Sequence, residues 1–235
     1  MSKLFLKAVR LFLIRIIGKS LIEKLIRVLA RLINENLLLI AYRNIGIFKS
    51  CDQYDSGEYF FVNSILINSI KTNKPVLFDV GANFGKYSHM LLKAFPYAQI
   101  FAFEPNLNTF EVLQKNLNGK NINTYNIGLG EKSGKDIIYT FKHDLTSSHA
   151  TIYKGVLTEL REEKNVLGLD VEIITLEHFC KKNKITHIDF IKIDTEGNEL
   201  NILKGAEYLV KNAAIDFIQF EFNEMNVYSR TFLKD

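Results

Sequence analysis

From residue 75 to residue 222 the chain alternates short, continuous apolar runs with stretches in which apolar residues recur every three or four positions. Residues 75–80 (PVLFDV) are such a run, and it leads into a turn carrying Gly81 and Gly85. Residues 86–95 follow with Tyr87, Met90, Leu91 and Ala94 at helical spacing, which predicts a helix. Residues 99–104 read as a second strand, 108–117 as a second helix and 121–127 as a third strand. The part from 136 to 180 is irregular and strand-rich, with clear alternation over 171–176. Residues 189–194 predict a further apolar strand, 199–209 a helix and 215–222 a last strand. Unbroken apolar runs suit strands buried on both faces. Their alternation with helices predicts an α/β fold, doubly wound around a mostly parallel sheet.

The first 48 residues follow another pattern. They are rich in Leu and Ile, yet charge interrupts them every three to five residues. The longest apolar runs, 11–14 and 37–42, are far shorter than the ~20 residues a membrane span needs. No cleavage site follows an uncharged core, so a secretory signal is not expected. From Lys19 onward Lys24, Arg27 and Arg31 share one helical side while Leu21, Leu25, Val28, Leu29 and Leu32 share the other. Residues 3–17 read as a second amphipathic helix, offset at Gly18. Two roles are open for this segment. One is packing on the main domain or on a second subunit, as in a homodimer. The other is peripheral contact of residues 1–35 with an anionic membrane surface, the inner face of the membrane in a cytoplasmic protein.

Charge sharpens that division. The 235 residues carry a net charge of +4, but residues 1–31 alone carry +7, which leaves −3 on the remainder. A body of that sign has no general attraction for nucleic acid. Two cysteines, Cys51 and Cys180, provide neither a disulfide framework nor a four-ligand zinc site, so a reducing, cytoplasmic setting is expected. With 47% apolar residues, three Pro and no internal repeat, the expectation is one compact domain over 49–235 preceded by a basic helical segment over 1–48.

The candidate chemistry lies where the predicted strands end. Asp79, Glu104, Asp194 with Glu196, and Glu221 each close a different strand and reach the same edge of the sheet, where ligands of such sheets bind. The glycine turn itself fits neither common phosphate loop. Gly81 and Gly85 enclose three residues rather than four, and Lys86 is followed by Tyr87 rather than Ser or Thr. Position 83 is Asn, which breaks the dinucleotide spacing. What remains is a loop whose glycines admit the amino-acid part of S-adenosylmethionine, with Glu104 accepting hydrogen bonds from its ribose. The plainer alternative is that both glycines serve only a tight turn.

Taken together, DVGANFGKYS (79–88), FEP (103–105), NIGLG (126–130), TLEHF (175–179) and IKIDTEGNEL (191–200) followed by LKGA (203–206) resemble, in order, the motifs of FkbM-type methyltransferases. The resemblance covers roughly residues 50–223. It implies a Rossmann-like class I fold dependent on S-adenosylmethionine, and methylation of a hydroxyl on a sugar, glycan or related acceptor. It further implies that Asp79, Gly81, Ala82, Asn83 and Gly85 line the methionine end of the cofactor, with Tyr87 and Ser88 opening the next helix beside it. Glu104 would hold the ribose with Asn106 nearby, Asn126 and Gly128 would lie near adenine, and Asp194 and Glu196 beside the sulfonium and the acceptor.

Methyl transfer to oxygen requires the acceptor hydroxyl to be positioned and its proton removed. Asp194, Glu196, Glu221 and His149 are the candidate bases. The other histidines show no ligand spacing, and no metal is assigned, although three acids together suit Mg²⁺ as a lesser reading. Class I enzymes usually continue past their fifth strand with a helix and two strands, whereas this chain stops thirteen residues after Phe222. Two expectations follow: either the sheet lacks its last two strands and its edge is covered by the N-terminal helices or a second subunit, or this sequence is a C-terminal truncation. That shortfall also motivates the alternative of a weak or inactive relative, recruited as a binding protein through its basic helices.

Overall fold

The computed structural model describes residues 19–32, 36–38 and 56–234. The expected helix over 3–17, its offset at Gly18, and Cys51 lie outside them. The chain divides into two units, residues 1–61 and 62–235. In the first, helix α1 (Lys19–Leu32) matches the amphipathic segment. A helical run over 58–69 (α2), π-wound at Phe61–Leu66, leads into the second.

The second unit carries a five-stranded parallel sheet in the order β3-β2-β1-β7-β8. Its strands are β1 (Val76–Val80), β2 (Gln99–Phe103), β3 (Ile122–Tyr125), β7 (Ile188–Ile193) and β8 (Ile215–Phe220). The central strands β1 and β7 are buried almost throughout, as continuous apolar runs require. One face of the sheet stacks Phe78 on Phe101 and Phe103 with ring centroids 5.0 and 5.5 Å apart. Phe179 of α5 (Leu176–Lys182) meets Phe103 edge-on at 4.8 Å. The other face is covered by α3 (Lys86–Ala94) and α4 (Leu107–Leu117), where Ala102 packs with Phe110, Leu113 and Leu117. Among the described residues β8 has a single strand neighbour. It alternates half-buried and exposed positions, with Ile218 and Phe220 exposed.

Three expectations change. The third strand does not run through to residue 127: it ends at Tyr125, and β4 (Gly128–Leu129) joins a second sheet, β4-β6-β5. Asn126 makes the break, its side-chain amide donating to the carbonyls of Glu104 and Pro105, both at 2.9 Å. The irregular part is an antiparallel pair, β5 (Gly134–Phe141) with β6 (Val166–Ile174), the latter much longer than the alternation over 171–176 implied. The helix expected over 199–209 is two, α6 (Glu199–Lys204) and α7 (Glu207–Lys211), broken at Gly205. A Cβ at Gly205 would lie 2.0 Å from the Gly130 carbonyl oxygen, so this tight approach fixes where the helix stops.

Gly81 and Gly85 both take positive φ, 79° and 82°. A Cβ on Gly81 would sit 1.9 Å from the backbone oxygen of Asp194, and one on Gly85 would sit 2.8 Å from Leu113. Both glycines are therefore demanded by the packing of β1 against β7 and of the loop on α4. Gly81→Ala is expected to cost roughly 2–3 kcal/mol, since positive φ and a backbone clash coincide there. Thermal unfolding of the variant checks this, and an unchanged melting temperature would contradict it.

Candidate active site

Asp79 in β1 and Lys192 in β7 are register partners on adjacent parallel strands, so both side chains leave the same face of the sheet. The Lys192 ammonium lies 3.0 Å from Asp194 Oδ2, 3.9 Å from Asp79 Oδ1 and 4.8 Å from the centre of the Tyr87 ring. Ser88 Oγ donates to Asp79 Oδ2 at 2.6 Å, and the Tyr87 hydroxyl donates to Gln219 Oε1 at 2.6 Å. Tyr87 and Ser88 thus bind α3 to the strands β1, β7 and β8. Burial pushes the Asp79 carboxyl above its usual range, and the Lys192 ammonium opposes the rise. Asp79 Oδ1 is fully buried without a hydrogen-bond donor, an acceptor left open at the carboxyl end of β1.

One strand away, Glu104 follows the end of β2. Its two carboxylate oxygens accept the backbone N–H groups of Asn83 and Asn106, each at 3.0 Å. Asn83 reaches this position through φ of 48°, a left-handed conformation that Asn tolerates better than most residues. Each oxygen retains capacity for a further donor. The Asn106 side chain caps α4 by accepting the Asn108 N–H at 3.1 Å, and it donates to the Leu145 carbonyl at 2.6 Å. Ala82 is buried against α4, and Gly128 packs where a Cβ would lie 2.5 Å from Ile173. The structure therefore brings Asp79, the 81–85 turn and Glu104 together, while the side chains of Asn106 and Asn126 and the small size of Gly128 serve the loops around them.

Burial raises the Glu104 carboxyl from its ordinary 4.5 to about 7; the two backbone hydrogen bonds oppose the rise, and nearby Asp79 adds to it. A group whose folded pKa is raised stabilises the fold fully below its unfolded value. That contribution, on the order of 3 kcal/mol at most, is lost as pH rises from about 4.5 through about 7. The free protein is thus expected to lose melting temperature between those pH values, and Glu104→Gln to flatten the trend. Parallel pH slopes for the two proteins would contradict this.

The remaining acids gather after β7 and β8. Oxygen atoms of Asp194, Glu196 and Glu221 all lie within 4.8 Å of one another. Glu196 is buried and has φ of 54°, an uncommon conformation for a residue with a Cβ. Its Oε1 faces His149 Nδ1 at 3.3 Å and its Oε2 faces Arg161 Nη2 at 3.4 Å. The Thr151 hydroxyl donates to its backbone carbonyl at 2.8 Å. Glu199 holds the same turn from behind, Oε1 accepting the N–H groups of Thr195 and Gly197 and the Thr195 hydroxyl at 2.9–3.2 Å. Lys192, Arg161 and Glu199 join the site without being among the residues that the sequence pattern singles out. Lys192 and Glu199 stand within two and three residues of predicted acids, but Arg161 has no such signal. A separate cleft of about 280 Å³, bordered by Gly130–Asp136, Asn198 and Asn201, includes none of the sequence-predicted site residues.

A sequence profile of the FkbM methyltransferase domain matches residues 79–233, from Asp79 past the end of β8. The chain belongs to the FkbM methyltransferase family. Its similar relatives include the methyltransferase sdnD of Sordaria araneosa, 25% identical over 194 residues that cover 70% of this chain and 74% of that one. The 2-O-methyltransferase NoeI of Sinorhizobium fredii is 22% identical, with 71% of each chain covered. The hexuronic acid methyltransferase AglP of Haloferax volcanii is 26% identical over 55% of this chain and 49% of its own. Among solved structures, a methyltransferase FkbM from Methylobacillus flagellatus is 17% identical with a TM-score of 0.41, covering 69% of this chain and 38% of that one. The plantazolicin methyltransferase BpumL in complex with SAH gives 14% and 0.35, covering 69% and 46%. In this FkbM-family chain the acids the sequence placed at strand ends are assembled on one sheet edge, with His149 and Arg161 brought to them from the segment between β5 and β6.

Proposed function

We propose that this FkbM-family protein transfers a methyl group from S-adenosylmethionine to a hydroxyl of a sugar-like acceptor. The observation that carries the reading is the Glu104 carboxylate, fixed by two backbone N–H groups at the end of β2 with acceptor capacity to spare. Two neighbouring ribose hydroxyls match that capacity, and the bare Asp79 Oδ1 suits a donor from the amino-acid end of the cofactor. The bound cofactor supplies a methyl group already activated on a sulfonium.

The chain's own residues then have two tasks: holding the acceptor hydroxyl in line and taking its proton. His149 suits the second. With its Nδ1 proton shared with Glu196, the lone pair stands on Nε2, the arrangement of a base oriented by a carboxylate. Arg161 holds that carboxylate in place. The name of NoeI, a 2-O-methyltransferase, supports oxygen as the methylated atom, and that of AglP, a hexuronic acid methyltransferase, supports a sugar as acceptor.

The test is transfer of labelled methyl from S-adenosylmethionine to a panel of hexuronic acids and neutral sugars. Methyl ethers survive mild alkali whereas methyl esters release methanol. Alkali-resistant label is the expected result. Label lost to alkali would make a carboxyl the acceptor and overturn the hydroxyl reading.

A further inference from the structure

Helix α1 belongs to the first unit, and the proposed reaction uses none of its residues. Its apolar arc, Leu21, Leu25, Val28, Leu29 and Leu32, is exposed, Leu29 by 58% and Leu32 by 76%. Lys24, Arg27 and Arg31 occupy the opposite side, where Arg27 meets Glu23 at 3.8 Å. Glu23 is the only acid among the first 31 residues, against eight Lys and Arg. Among the described residues no helix is long and apolar enough to cross a membrane.

We infer that α1 lies in the surface of an anionic lipid bilayer, its leucines among the upper acyl chains and its basic residues among the phosphates. An exposed arc of large apolar residues on one helix needs a cover, because apolar surface left in water forgoes the free energy its burial would release. A groove on another protein covers the apolar arc only and leaves the basic one in water. A bilayer surface takes both, since the headgroup layer surrounds a helix whose apolar side reaches the acyl boundary. A second copy of this chain is a poor cover, because mating two such helices brings together two segments of +7. Basic residues beside an anionic leaflet each add to binding, and the charge pattern complements that surface.

Flotation of the full-length protein with vesicles of phosphatidylcholine alone, or with one third phosphatidylglycerol, tests this. Binding at least about tenfold stronger to the anionic vesicles is expected, falling steeply between about 0.05 M and about 0.5 M salt. Leu25→Glu combined with Leu29→Glu is expected to abolish it, and Lys24→Ala with Arg27→Ala and Arg31→Ala to weaken it at least about tenfold. The second variant leaves the apolar arc intact, and unchanged melting temperatures show that both proteins remain folded. Equal binding to the two vesicle types, no binding, or binding indifferent to both variants overturns the inference. So does a dimer in solution that the leucine variant dissolves, which would assign the face to a second copy.

Discussion

Glu104→Gln is expected to weaken binding of S-adenosylhomocysteine by about a hundredfold or more, measured by calorimetry at pH 8. A carboxylate that accepts two hydroxyls makes two charge-assisted hydrogen bonds, each contributing about 1.5–3 kcal/mol. The amide removes the charge and one acceptor. It also turns an NH₂ group toward either the Asn83 or the Asn106 N–H, so the site loses geometry as well as charge. The same carboxylate makes the affinity depend on pH. With Glu104 titrating at about 7 in the free protein, binding that needs the ionised form weakens about tenfold from pH 8 to pH 6. In the Gln variant that dependence is expected to vanish. An affinity insensitive both to the substitution and to pH would remove Glu104 from the cofactor site.

The second large effect concerns the proton. His149→Ala is expected to lower kcat by about 10²–10⁴-fold while leaving S-adenosylhomocysteine affinity unchanged, as loss of a general base should. Added imidazole is expected to restore part of the rate in this variant only. Glu196→Gln should act through His149, because it weakens the contact that places the proton on Nδ1. Arg161→Lys keeps the charge beside Glu196 and is expected to retain more of the rate than Arg161→Met. A His149→Ala rate within a few fold of wild type would leave Asp194 and Glu221 to serve as bases.

The parts legible in the sequence are those whose cause is local. β1 and β7 announce themselves because a strand buried on both faces must be apolar throughout, whatever its neighbours are. Acids at strand ends were legible for the same reason: the end of the run is the edge of the sheet. Contacts that cross the chain were not. The break at Asn126 depends on carbonyls at 104 and 105, and the end of α6 depends on a carbonyl at 130. Arg161 reaches Glu196 across 35 positions from a segment without regular alternation, so no spacing rule connects them. Gly81 and Gly85 were located for an incomplete reason. Room for a ligand or a tight turn explained them in the sequence, whereas in the fold the Asp194 carbonyl and Leu113 already forbid a side chain there.

The proposed function rests on S-adenosylmethionine binding at the carboxyl ends of β1 and β2. Calorimetric titration of the full-length protein with S-adenosylhomocysteine at pH 8, beside Asp79→Ala and Glu104→Ala, tests it most directly. One-to-one binding by the wild-type chain is expected, with its loss in both variants, each still folded by circular dichroism. No heat from a folded wild-type chain, or equal affinity in all three proteins, would contradict it.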